Sequence, residues 1–159
     1  LEAIIVEKMK ATTTAGSKTS PAQGAYTGAA TYETLVTAAS LVRASSDKVV
    51  IMNPATYAQF KVAQANANFG FDIFDGMTVI ESSALDSYAS ASDGEVYAIV
   101  ADIRKAVHVN FTNGDDVIYK FDEMTLATKD LIRVIGRLPA AVGIVSPKSL
   151  ALIKKPATV

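Results

Sequence analysis

Few residues in this chain could do chemistry, and their spacing decides which chemistry is open to them. His108 is the single histidine. A hydrolase triad or an imidazole metal site would need it. It lies opposite in parity to Val107 and Val109 in an alternating run, which reads as a half-exposed strand position. Asp115 and Asp116 follow Asn113-Gly114. Two adjacent carboxylates beside an Asn evoke a calcium loop, but the further oxygen ligands and the distal Glu are missing. Solvated turn acids fit better. Asp72 and Asp75 form another pair, in a Phe-rich loop without an evident partner. Serines are plentiful at Ser82-Ser83 and from Ser87 to Ser92, yet no nucleophile-elbow pattern surrounds them. GxxxxGK and GxGxxG phosphate loops are absent. Lys148 and Lys154-Lys155 make a basic C-terminus, read as a solvated tail, with a weak contact to a neighbour or to nucleic acid as the alternative. No catalytic, cofactor-binding or metal site is expected.

Composition narrows the class further. The chain has 159 residues, half of them hydrophobic and 19% charged, with a net charge of −1. That is enough apolar material for one domain, or two small lobes sharing a core. The charge balance is not that of a dedicated nucleic-acid or membrane binder. There is no cysteine, so disulfides and thiolate zinc sites are excluded. No apolar run approaches the ~20 residues of a transmembrane helix. The opening LEAIIVEKMK carries four charges and no cleavage pattern, so it is not a signal peptide. It also lacks an initiator Met, and the chain reads as part of something longer, trimmed at its front.

The elements follow from periodicity. Leu1, Ile4, Ile5 and Met9 have helical spacing. Ala11 to Gly28 is either a flexible linker or an ordered crossing segment. Thr31 can cap a helix carrying Tyr32, Leu35, Val36, Ala39 and Val42 on one face, ending near Ser45-Ser46. Val49 to Met52 is continuously apolar, as a central strand is. Asn53 then caps a helix with Pro54 at its first position and Tyr57, Phe60 and Ala63 as its buried stripe. Ala65 to Asp75 reads as a loop. Its Phe69, Phe71 and Phe74 need either a local mini-core, the favoured reading, or a second subunit. Strands follow at Met77–Ile80 and Val96–Ala101, with a loop tip at Tyr88–Gly94 between them. Lys105–Phe111 and Val117–Phe121 alternate on either side of Asn113-Gly114, which predicts a protruding antiparallel hairpin. Leu131–Leu138 and Val142–Val145 are further strands. The expected fold class is α+β, a sheet flanked by helices plus a long hairpin.

The order of these motifs resembles tailed-bacteriophage major capsid proteins of the Hong Kong 97 type. Val49-Val50-Ile51-Met52-Asn53-Pro54 with Tyr57 and Phe60 resembles the strand and helix in the middle of that family. Asp75-Gly76-Met77-Thr78-Val79-Ile80 resembles its Leu-x-Gly-x-Pro-Val strand, with Thr78 in place of Pro. Val96 to Val109 resembles the strand pair that follows. Leu131 to Pro147 resembles the closing strands, with Arg137 and Pro147 in the expected places.

The resemblance implies a major capsid subunit, a structural protein and not an enzyme, that needs no cofactor. It would assemble with itself into hexamers and pentamers of an icosahedral shell around phage or prophage double-stranded DNA, which it does not read by sequence. Portal, scaffolding or protease partners are implied, no membrane is, and the place is the virion, or the bacterial cytoplasm during assembly. Residues 1–25 would be the end of the spine helix and a crossing segment of the peripheral domain, 26–110 the axial domain, 111–138 peripheral-domain strands, and 139–159 a return to the axial domain. The family's N-terminal arm and extended loop precede the spine helix and would be missing. Some members crosslink a Lys to an Asn aided by a Glu. The matching strand, Thr128 to Arg137, holds Lys129 and Asp130 but no Asn, and Ile135 and Gly136 are not acidic, so that chemistry is not expected. Candidate subunit-interface residues are Tyr119, Phe121, Leu131, Ile132 and Val134, because a thin ribbon cannot bury so many apolar side chains on itself. The alternatives are an encapsulin-type compartment shell, separated by its protein content, and a small α+β enzyme or binding domain, which would need a polar pocket with convergent ionisable groups.

Overall fold

A computed structural model describes residues 1–14, 25–43, 47–66, 70, 72–115, 117–122 and 132–157. The chain divides into two units. The larger comprises Leu1–His108 and Gly143–Val159, and the smaller Val109–Val142.

The larger unit is built on a five-stranded sheet in the order β1-β9-β4-β2-β3. These strands are β1 (Ala25–Thr27), β2 (Val49–Met52), β3 (Thr78–Glu81), β4 (Val96–Ala101) and β9 (Leu150–Lys154). β2 runs parallel to β3, β1 parallel to β9, and β4 antiparallel to both β2 and β9. β4 is buried along its whole length and β9 everywhere except Lys154. That explains their unbroken apolar sequences, since a strand covered on both faces has no polar side.

The period-two alternation sorts the sheet residues into two cores. Val50, Met52, Ala98, Val100, Ala151 and Ile153 face one way, where they meet α2 (Tyr32–Leu41) through Leu35 and Ala38, and α3 (Pro54–Asn66) through Phe60. Ile51, Ile99, Ala101, Leu150 and Leu152 face the other way and meet Val6 and Met9 of α1 (Glu2–Thr14) together with Leu85. The result is a helix–sheet–helix sandwich of three layers. One register break is informative. Pairing between β4 and β9 slips between Val96 and Ala98. The bulge turns Tyr97 to the same side as Ala98. Its hydroxyl then donates to the Gly28 carbonyl (2.9 Å), and its ring meets Tyr88 edge-on at 4.9 Å. Burial pushes the Tyr97 hydroxyl well above the usual tyrosine range, reinforced by Tyr88 and Tyr26.

Helix starts follow the expected chemistry. Thr31 Oγ1 accepts from the Thr34 N–H, at 3.4 Å. Asn53 Oδ1 accepts from the Ala55 N–H (3.0 Å), while its Nδ2 donates to the Leu85 carbonyl (2.8 Å). One side chain therefore starts α3 and anchors the loop after β3. Thr56, buried on α3, adds a second anchor by accepting from the Tyr88 N–H at 2.9 Å.

Several expectations need correction. α2 stops at Leu41, with Val42 already extended, and Ser45-Ser46 lie outside the described residues. α3 continues to Asn66, past the expected loop start at Ala65. Its buried residues are Thr56 and Phe60, and Ala63 is exposed. Residues Ile103–Ala106 form a helical turn, α4, so the strand expected from Lys105 begins at Val107. The basic tail is held in the fold, with Lys148, Lys154 and Lys155 half-buried. β9 lies inside the sheet, Lys155 Nζ donates to the Ala91 carbonyl (2.8 Å), and the Lys155 backbone pairs with Gly94 and Glu95. α1 runs to Thr14 and β1 occupies Ala25–Thr27, both within the segment left between linker and crossing strand; the residues between them lie outside the described ones.

Two outcomes follow for this unit. Asn53→Ala removes the cap and strands the Leu85 carbonyl together, and should lower stability by ~1–3 kcal/mol in urea denaturation. Raising pH above the ordinary tyrosine value of about 10 should destabilise the fold. The folded state holds the Tyr97 proton more tightly than the unfolded chain does, so that stabilisation is complete below this pH and is lost as pH climbs toward the raised value. The alkaline fall in urea midpoint should be shallower in Tyr97→Phe than in the unmodified protein.

Candidate functional site

The smaller unit is made of strands. β6 (Ile118–Asp122) pairs antiparallel with β7 (Arg133–Arg137), in the register Ile118↔Arg137, Tyr119↔Gly136, Lys120↔Ile135, Phe121↔Val134 and Asp122↔Arg133. β5 (Val107–Asp115) and β8 (Ala140–Ile144) form a separate two-stranded sheet. This corrects the expected hairpin. Asn113 and Gly114 lie within β5, and Val117–Phe121 does not fold back on Val107–Phe111. The long antiparallel ribbon exists, but β6 makes it with β7. An Asn-Gly pair favours a tight turn only locally. The matching alternation of β6 and β7 supplies two complementary rows of side chains, and that pairing wins.

Residues directly opposite in an antiparallel pair point to the same face. One face of the ribbon therefore carries Tyr119, Phe121, Val134 and Gly136. Val117, Ile132 and Leu138 have the same parity just beyond the ladder. Val117 and Tyr119 reach across to Gly136: a Cβ built there would stand at ordinary contact distance, 3.6 Å from Tyr119 Cε1 and 3.4 Å from Val117 Cγ1. This face is open. Tyr119 is 61% exposed, Phe121 68%, Ile132 62% and Val134 53%. Leu131 lies outside the described residues. Of the five candidate interface residues, the structure thus brings Tyr119, Phe121 and Val134 together on one face, with Ile132 at its end.

The residues with possible chemistry take other roles. His108 is exposed near the start of β5. Asp115 ends β5, and Asp116 is outside the described residues. The Asp72 carboxylate accepts from the backbone N–H groups of Phe74 (3.2 Å) and Gly76 (3.3 Å). It thereby fixes a turn in which Asp75 and Gly76 both take positive φ, 52° and 73°. Asp72 is a turn-former, a role that short-range hydrogen bonding of Asp explains. Phe74 is buried on Tyr57 (5.5 Å between centroids) and Phe60 (6.0 Å), so this ring has its local core; Phe69 and Phe71 are outside the described residues. Ser82 Oγ accepts from the Ala84 N–H, and the Ser87 and Ser90 hydroxyls share a hydrogen bond.

One polar cleft, about 460 Å³, gathers Asp47, Lys48, Asp102 and Arg104. Its charges are matched within the fold. Arg104 contacts Asp47 and Lys105 contacts the buried Asp102, each at 3.4 Å, while Lys48 Nζ donates to the Ala39 carbonyl at 2.6 Å. Among the described residues, no three His, Asp or Glu side chains are grouped to hold a metal, and no helix is long and apolar enough to cross a membrane.

No family model and no curated protein matches this chain. Solved structures do. The capsid of an empty GTA particle matches with a TM-score of 0.56 at 11% identity, over 79% of this chain and 44% of that one. The capsid of the native GTA particle matches over the same shares with a TM-score of 0.57, also at 11% identity. The holo-SrpI encapsulin complex from Synechococcus elongatus PCC 7942 matches with a TM-score of 0.62 at 14% identity, over 94% of this chain and 61% of that one. This chain therefore spans about half the length of the shell proteins it matches. At such identities the likeness concerns architecture, and the architecture is plain: the chain has the mixed α+β fold of Hong Kong 97-type capsid and encapsulin shells.

Proposed function

We propose that this chain is a structural subunit of a closed protein shell, a phage-type major capsid protein without catalytic activity. The observation that carries the reading is the open apolar face of β6 and β7, on a fold whose solved counterparts are shells. In this reading subunits join in rings of five or six, and Tyr119, Phe121, Leu131, Ile132 and Val134 lie at contacts between copies. Residues 26–110 with 139–159 serve as the axial domain; 1–25 and 111–138 belong to the peripheral domain.

Magnitudes support a ring rather than a pair. Burying what remains exposed of one such side chain contributes about 1–2 kcal/mol, scaled from full burial. A few of them together only match the ~4–15 kcal/mol lost on association. A single contact is therefore marginal, and a closed ring, in which every copy makes two, is favoured.

The encapsulin reading has the wider and better-fitting match on its side: 94% of the chain at a TM-score of 0.62, against 79% at 0.56 and 0.57 for the GTA capsids. The enclosed content separates the two. Full-length gene product, assembled and viewed by electron microscopy, should give closed shells that carry nucleic acid. A variant with Tyr119→Asp and Ile132→Asp should stay dispersed, with a urea midpoint close to that of the unmodified protein, because both side chains are already exposed within the subunit. Equal shell yield from both proteins would remove these strands from the interface. Shells filled with a protein cargo would favour the compartment.

A further inference from the structure

The ribbon of β6 and β7 has a second face, and it differs in kind from the first. By register it carries Ile118, Lys120 and Asp122 on β6, opposite Arg137, Ile135 and Arg133 on β7. Every charged residue of the two strands is on this face, and none is on the face of Tyr119 and Phe121. Three of the four charges are cationic. Lys120, Arg133 and Arg137 are exposed, and none of them is held in an ion pair with another described residue.

Their spacing is set by the ladder. Arg133 and Arg137 are four residues apart on one strand, roughly 13 Å, and Lys120 stands between them on the neighbouring strand, roughly 8 Å from each. The stems lie beside Ile118 and Ile135, so the heads are carried outward on an apolar base. Guanidinium groups match phosphate oxygens two at a time, and an ammonium adds a compact charge between them. Asp122 opposes Arg133 directly and weakens that end of the patch.

We infer that this face of the ribbon is a contact surface for the phosphodiester backbone of nucleic acid, made by Lys120, Arg133 and Arg137. It rests on the shell reading only for where the nucleic acid lies, on the side of the ribbon away from the contacts between subunits. Contact is through backbone charge and carries no sequence preference. Three cations per copy, repeated round a ring, hold a polyanion weakly at each point and collectively over many.

The test measures binding of a short mixed-sequence DNA duplex to the full-length protein by fluorescence anisotropy across a salt series. The comparison is a triple variant, Lys120→Gln, Arg133→Gln and Arg137→Gln. Each phosphate contact contributes about 0.9 to the slope of log affinity against log salt, so a fourfold rise in salt should weaken the unmodified protein by about 40-fold more than the variant. The variant should still form shells, since its changes are on the face away from Tyr119 and Phe121. An unchanged slope would overturn the inference. So would loss of shell formation in the variant, which would make this face a subunit contact. Tight binding of poly-glutamate, equal to that of the duplex, would overturn it in favour of acidic protein content. If the unmodified protein forms no shells yet loses its salt-dependent DNA binding in the variant, the shell reading fails and this one stands.

Discussion

The antiparallel ladder between β4 and β9 is the constraint from which the rest of the larger unit follows. Ala98 to Ala101 pair with Ile153 to Leu150, and all of these side chains are buried. Two adjacent strands with no solvent-facing side require a helical layer above and another below. They also require further strands on both flanks, because a buried backbone N–H or C=O left unpaired is costly. β1 and β2 supply the flanks, and α1, α2 and α3 supply the layers. Even the Tyr97 bulge serves the same need. It moves one large ring to the side where Tyr88 and the Gly28 carbonyl can receive it.

Much of this was legible in the sequence, for a physical reason. Val49 to Pro54 combines a fully apolar strand, an N-cap and a proline at the first helical position, and each signal is local and agrees with the others. Gly76, just before β3, takes positive φ in the turn that Asp72 fixes. What escaped notice was short and non-local. β9 is four apolar residues followed by two lysines, and the lysines drew it toward solvent. The head of Lys155 is in fact tied down, by the Ala91 carbonyl and the Tyr88 ring. β1 is three residues long and stands only because β9 is beside it.

The ribbon shows the limit of turn signals. Asn113-Gly114 is a strong local hint, yet partner choice among β5 to β8 is decided by which rows of side chains match. The parity of Tyr119 and Phe121 was readable, and so was their excess of apolar surface. The face they share with Val134 was not, because it depends on a register that only the pairing with β7 defines. The same register gathers every charge of the two strands on one face, so that one thin element can present two chemically distinct sides without any core between them.

The position of β9 has a consequence for how the chain is made. β1 leaves the ribosome well before β9, its neighbour in the sheet among the described residues, which is more than a hundred residues further on. Until that late segment is synthesised, one long side of β4 and the whole of β1 have no partner. During that interval the nascent chain exposes strand edges and apolar surface of the kind that joins other chains. The order of synthesis thus leaves those edges open to wrong partners until β9 closes the sheet.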